Sequence, residues 1–220
     1  MPLKKGFLVA FEGIDGAGKT TQARLLHEYL LNRGFDVLLT KEPTDSIYGR
    51  RIRKLAQEDR FSVAPKEEYR LFVNDRKVHV ENLIKPALTA KKIVILDRYY
   101  FSTIAYQGAL GLDAQEIQEE NESFAPVPEI VFLLSIPPRL GIIRIEKSRK
   151  QKPNLFEKEE ELAKVAAVFA SLREGYLFTI DGSQPIPTIH ETVVNVIDDV
   201  VDHYLSQEDQ YSLFNRTRTG

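Results

Sequence analysis

Apolar residues along this chain follow two rhythms. Short, mainly apolar runs recur at 7–11, 35–40, 92–96, 130–134 and 176–180. Runs of that length, bounded by turn residues, predict buried strands. Between them, apolar positions recur every three or four residues, the period of a helix face. Leu25, Leu26 and Leu30 mark such a face over 19–33, and Gly34 supplies a C-terminal stop. Further helices are predicted over 47–57, 65–90, 100–109 and 114–122, from Pro137-Pro138 onward, over 156–173 and over 189–205. Pro65 suits a helix start, whereas Pro86 should kink the long helix or shorten it by a turn. The segments 41–45 and 147–154 read as loops, the second of them polar and basic.

Five strand runs alternating with helices predict an α/β fold, an open parallel five-stranded sheet with helices on both faces. Neither an internal repeat nor a linker divides the chain, so 1–205 is expected to form one domain and 206–220 a polar, disordered tail. Composition changes this picture little. Of 220 residues, 43% are hydrophobic and 28% charged, as in ordinary soluble proteins. A net charge of −2 gives no general attraction to nucleic acid or an anionic membrane. The chain has no cysteine, which excludes disulfides, zinc–thiolate sites and thiol nucleophiles. The first apolar run, about six residues long, is too short for a signal peptide or a membrane span, so a cytoplasmic location is expected.

Candidate chemistry begins where the first strand ends. Gly13, Ile14, Asp15, Gly16, Ala17, Gly18, Lys19 and Thr20, followed by Thr21, match the phosphate-loop pattern G-x-x-x-x-G-K-[ST]. Its glycines let backbone N–H groups converge on an anion, Lys19 reaches the outer phosphates, and the Thr20 hydroxyl can ligate Mg²⁺. A strand before and a helix after supply the required context, which points to a P-loop NTPase-type sheet. Asp97 and Arg98 end the third strand, and the carboxyl ends of parallel strands line the ligand crevice. Asp97 suits Mg²⁺, directly or through water, and Arg98 suits a phosphate. Phe72 and Arg76 share one helix face. Spacing alone leaves them open between a stacking site and a core residue beside a solvated charge. The stretch 144–152 carries five positive charges against one negative. It is either a solvated loop or a short mobile lid, near 144–156, that closes over phosphates.

Several motifs, in order along the chain, together resemble the thymidylate kinase family. They are the phosphate loop, Glu42-Pro43, Leu71-Phe72 with Asp75-Arg76, and 84–88. The most specific is Asp97-Arg98-Tyr99 with Ser102 and Ala105-Tyr106-Gln107-Gly108; 180–185 resembles the family's nucleotide-base loop. The resemblance implies transfer of the ATP γ-phosphoryl group to dTMP, with Mg²⁺, by a homodimer. It implies that Phe72 stacks on thymine and that Arg76 and Arg98 contact the monophosphate or base. Thr103 and Gln107 would meet the base edge with Arg53 close by. Asp15 would lie near the 3′-hydroxyl and Tyr106 near the sugar 2′ position. Because Ala17 stands where some relatives keep an arginine, the resemblance implies a catalytic lid arginine, Arg149 first and Arg144 second. Two other readings share parts of this pattern. A deoxynucleoside kinase would use Glu42 as a base, and a nucleotide-switched binding protein would need no acceptor site.

Overall fold

The computed structural model describes residues 3–58, 63–148 and 155–206. The apolar runs pair as five parallel strands, Phe7–Glu12 (β1), Val37–Lys41 (β2), Ile93–Asp97 (β3), Ile130–Ser135 (β4) and Leu177–Asp181 (β5). Their order in the sheet is β2-β3-β1-β4-β5. Every residue of β1 and β3 is buried, as is β4 up to Ser135. The outer strands differ from the sequence expectation. β2 is half-buried up to Lys41 and β5 is partly exposed with only Ile180 buried, because each sits at an edge with a single neighbour. An apolar run announces a strand but not its place in the sheet.

The helices are Lys19–Asn32 (α1), Ile47–Glu58 (α2), Pro65–His79 (α3), Lys85–Thr89 (α4), Tyr100–Gly108 (α5), Ala114–Glu122 (α6), Pro138–Ser148 (α7), Leu155–Ser171 (α8) and Ile186–Ser206 (α9). The crossover from β1 to β2 runs in one direction along the sheet, and the later crossovers run in the other. Parallel crossovers are right-handed, so α1 must lie on the face opposite α2–α8. The packing agrees: α1 meets α9, while α3, α6 and α8 gather around α5. In the middle, the Phe11 and Phe132 rings stack at 5.2 Å between centroids. Each such fully buried side chain stabilises the fold by about 1.5–3 kcal/mol.

Two helices depart in detail from the sequence expectation. The long helix does not end a turn early at Pro86. It passes through one wide turn, Val80–Ile84, in which the Lys85 N–H donates to the Val80 carbonyl five residues back. Pro86 has no N–H, and in a regular helix its ring would press on the carbonyl of Asn82. The wide turn relieves that clash, so the chain stays helical from Pro65 to Thr89. The basic stretch is likewise helical as far as Ser148, where a loop was expected from residue 147. The rest of the expected lid, including Arg149, and the tail from residue 207 lie outside the described residues.

Candidate active site

Sheet register assembles the site. Phe11 of β1 and Lys41 of β2 both lie level with Asp97 of β3. The next residues of each strand therefore emerge side by side: Glu12, Glu42 and Arg98. Backbone bonds fix that meeting, since the Glu42 N–H donates to the Asp97 carbonyl at 3.2 Å and the Arg98 N–H to the Phe11 carbonyl at 3.1 Å. A cleft of about 740 Å³ opens there, lined by 15–22, Glu42, Asp97, Arg98, Arg144 and residues around Gly182 and Ile186.

The phosphate loop is wedged between backbones. A side chain on Gly13 would meet the Leu134 carbonyl oxygen at 2.4 Å, and one on Gly16 would meet that of Gly141 at 2.3 Å. Both glycines also have positive φ, a region other residues enter at a cost. Lys19 is 6% exposed and donates to the Gly13 and Ile14 carbonyls at 2.9 and 2.7 Å. Burial, reinforced by the Arg98 charge, pushes its ammonium down to about 7, against the opposing pull of Asp15, Asp97 and Glu12. The Thr20 hydroxyl donates to the Asp97 carboxylate. One hydroxyl and one carboxylate oxygen beside a phosphate cradle suit Mg²⁺, which takes few protein ligands and completes its shell with phosphate and water.

Arg98 stands at the mouth of this loop. Its guanidinium pairs with the Asp15 carboxylate, donates to Ser102 Oγ at 3.0 Å and lies 5.5 Å from the Tyr106 ring centroid. The Tyr106 hydroxyl accepts the Asp15 N–H at 3.2 Å. Burial works against the Arg98 charge, but Asp15 above all, with Tyr106, Glu12 and Asp97, raises its pKa overall. Glu12, which the sequence reading passed over, organises the start of α5. Its carboxylate accepts from the Tyr99 N–H at 2.7 Å, the Ser102 N–H at 3.2 Å and Ser102 Oγ at 2.6 Å. Burial nevertheless pushes Glu12 up to about 7. Its only sequence signal is a lone carboxylate closing an otherwise apolar strand.

The surroundings of Arg76 are more constrained than spacing suggested. Arg76 is 1% exposed and is no solvated charge. It donates twice to Glu42, at 2.9 and 2.6 Å, to Asn121 at 2.6 Å and to Thr103 at 3.0 Å. Four of its five N–H groups are thus committed, and Glu42 offsets its charge. That leaves one N–H of the guanidinium, too few for a bidentate grip on a phosphate. Glu42 is equally committed, since Oε2 accepts from Arg76 and Oε1 faces His79 Nδ1 at 3.0 Å. Phe72, one turn before Arg76, is half-buried. Thr103 is buried beside Arg76, and Gln107 one turn later is fully buried. Arg53 donates to the Pro43 and Thr44 carbonyls at 3.0 and 2.7 Å and pairs with Asp45, so it braces the loop after β2. Arg144 donates to the Gly182 carbonyl at 2.9 Å and the Gly16 carbonyl at 3.3 Å, which ties α7 to the phosphate loop and to the turn after β5.

A sequence profile of the family described as thymidylate kinase matches residues 11–193. A thymidylate kinase of Desulfotalea psychrophila is 48% identical over 189 residues, covering 86% of this chain and 93% of that protein. A probable thymidylate kinase of Archaeoglobus fulgidus is 42% identical over 191 residues, covering 87% and 94%. A thymidylate kinase of Xanthomonas campestris pv. campestris is 43% identical over 198 residues, covering 88% and 86%.

Proposed function

The chain belongs to the thymidylate kinase family, and on that premise we propose how its residues move the γ-phosphoryl group of ATP to the phosphate of dTMP, giving dTDP and ADP. The observation that carries the assignment of roles is the position of Arg98. A buried strand end delivers this cation to the rim of the phosphate loop, where a second anion must meet the first.

The acceptor is a phosphate monoester whose second ionisation falls near pH 6, so it attacks without a general base. The barrier lies in bringing two anions together and in the charge of the transferring group. Backbone N–H groups of 13–18 and Lys19 hold the donor phosphates. Arg98 holds the acceptor phosphate, and Asp15 keeps its guanidinium aimed at the loop. Thr20 and Asp97 would hold Mg²⁺, which when bound would supply charge neutralisation on the phosphates. A lid arginine completes the set; Arg144 is already engaged with two carbonyls, which favours Arg149 for that role. Such catalysis works through positioning and fixed charge. Phe72, Arg76, Thr103 and Gln107 form the cleft for the base, and Tyr106 stands beside the sugar. Residues 1–205 act as one kinase domain with a lid near 144–156, in the cytoplasm.

A deoxynucleoside kinase would need Glu42 as a free base. Both of its oxygens are occupied by Arg76 and His79, which speaks against that reading. Release of ADP from ATP should be measured with dTMP, dUMP, CMP, thymidine or no acceptor. Turnover with dTMP and none with thymidine is expected. Turnover with thymidine alone would refute the proposal, and acceptor-independent hydrolysis would favour a nucleotide switch.

A further inference from the structure

Three residues of α3 at four-residue spacing, Glu68, Phe72 and Arg76, lie on one face of that helix. Thr103 and Gln107 share a face of α5 in the same way. Two hydrogen bonds join the faces. Arg76 Nη2 donates to Thr103 Oγ1 at 3.0 Å, and Gln107 Nε2 donates to Glu68 Oε2 at 2.9 Å. Phe72 sits on α3 midway between the two ties. Gln107 is fully buried and Glu68 is 6% exposed. One polar atom in this seam has no partner among the described residues, the side-chain oxygen Oε1 of Gln107.

A buried amide oxygen without a donor is costly, so its orientation calls for a cause. A carboxylate only accepts, whereas an amide has one donating and one accepting end. The end of Gln107 that faces Glu68 must therefore be the NH₂ group, and the oxygen must point away from it. We propose that Glu68 is a specificity-determining residue: it locks the Gln107 amide so that an acceptor, never a donor, faces the nucleobase. This rests on the reading of Phe72, Arg76, Thr103 and Gln107 as the base cleft. Thymine and uracil carry a hydrogen on N3 and can satisfy Oε1. Cytosine has a lone pair there, and two acceptors would face each other. Arg76, held by Glu42 and Asn121, keeps one N–H for the carbonyl at position 4, where cytosine carries an amino group instead. Glu68 touches no substrate atom; it acts through Gln107.

The test compares kcat/KM for dTMP with that for dCMP in the wild-type protein and in Glu68→Gln, Glu68→Asp, Gln107→Met and the Glu68→Gln/Gln107→Met double variant. Glutamine at position 68 can donate as well as accept, which frees the amide of Gln107 to turn over. The dTMP/dCMP ratio should fall at least about tenfold in Glu68→Gln, as expected for one mismatched buried hydrogen bond. Aspartate remains a pure acceptor and should preserve most of the ratio. In the Gln107→Met background, Glu68→Gln should leave the ratio unchanged. A ratio within twofold of wild type in Glu68→Gln, an equal fall in Glu68→Asp, or an additive double variant would overturn the inference. If Glu68→Gln does not fold, Gln107→Met alone decides, because a retained ratio there removes the mechanism. Wild-type protein inactive on both dTMP and dUMP would defeat the assigned function instead. An active wild type with a ratio insensitive to Glu68 defeats only this inference.

Discussion

Arg98 carries a charge from the end of β3 to the rim of the phosphate loop, and its backbone records a cost. Its φ of 75° lies in the left-handed region, where a residue with a Cβ is disfavoured. That conformation turns the side chain from the end of β3 toward Asp15 and Ser102. Strain and function can be separated by substitution. Arg98→Ala and Arg98→Gly should both lower kcat with dTMP about a hundred- to a thousandfold, the usual effect of removing one transition-state donor. In urea denaturation Arg98→Gly should be more stable than Arg98→Ala by about 1 kcal/mol. Equal stability of the two would mean that the left-handed backbone costs nothing here. The neighbourhood of Arg98 was legible as a cation at a strand end. The role of Arg76 was only half legible, since what limits it, Glu42, lies 34 residues away in sequence. Glu12 escaped notice because its partners Tyr99 and Ser102 are almost 90 residues distant.

Among elements, the phosphate loop was the most readable, because its function is performed by contiguous backbone. Its electrostatics were not readable. Lys19 is crowded by Arg98 as well as buried, and both lower its pKa to about 7. The sign of the consequence follows. Above pH 7 the ligand-free lysine loses its proton, while bound ATP phosphates favour the ammonium and restore it. ATP binding should therefore take up a proton in that range, and affinity should weaken as pH rises, approaching about tenfold per pH unit. Calorimetric titration near pH 8 in two buffers of different ionisation heat measures the uptake directly. Zero proton uptake would show that Lys19 stays charged without ligand. The helix through Pro86 is the opposite case. Its helical period was clear, but the wide turn at Val80–Ile84 was not, since a proline signals a conflict and not how the chain settles it.

For the whole molecule, parallel pairing turns distant strand ends into one site, and the wide turn shapes the outer surface. Val78, just before that turn, and Leu83, within it, remain exposed at 36% and 39%. Exposed apolar side chains of this kind suit burial against a second copy of the chain, which the family resemblance implies. Sedimentation at micromolar concentration should give a two-chain mass, and Leu83→Glu should shift it toward one chain. A wild-type protein that sediments as one chain would remove the homodimer from the description.

The amino-acid sequence by itself determined the α/β alternation, the phosphate loop, the acceptor motif and the family, because each depends on local period or on residues close together in the chain. Tertiary structure alone decided which strands are edges and that both oxygens of Glu42 are engaged by Arg76 and His79. It also decided that the Gln107 amide turns its NH₂ group toward Glu68. These depend on sheet order and on hydrogen bonds between segments far apart in sequence, where no local pattern records which donor will find which acceptor.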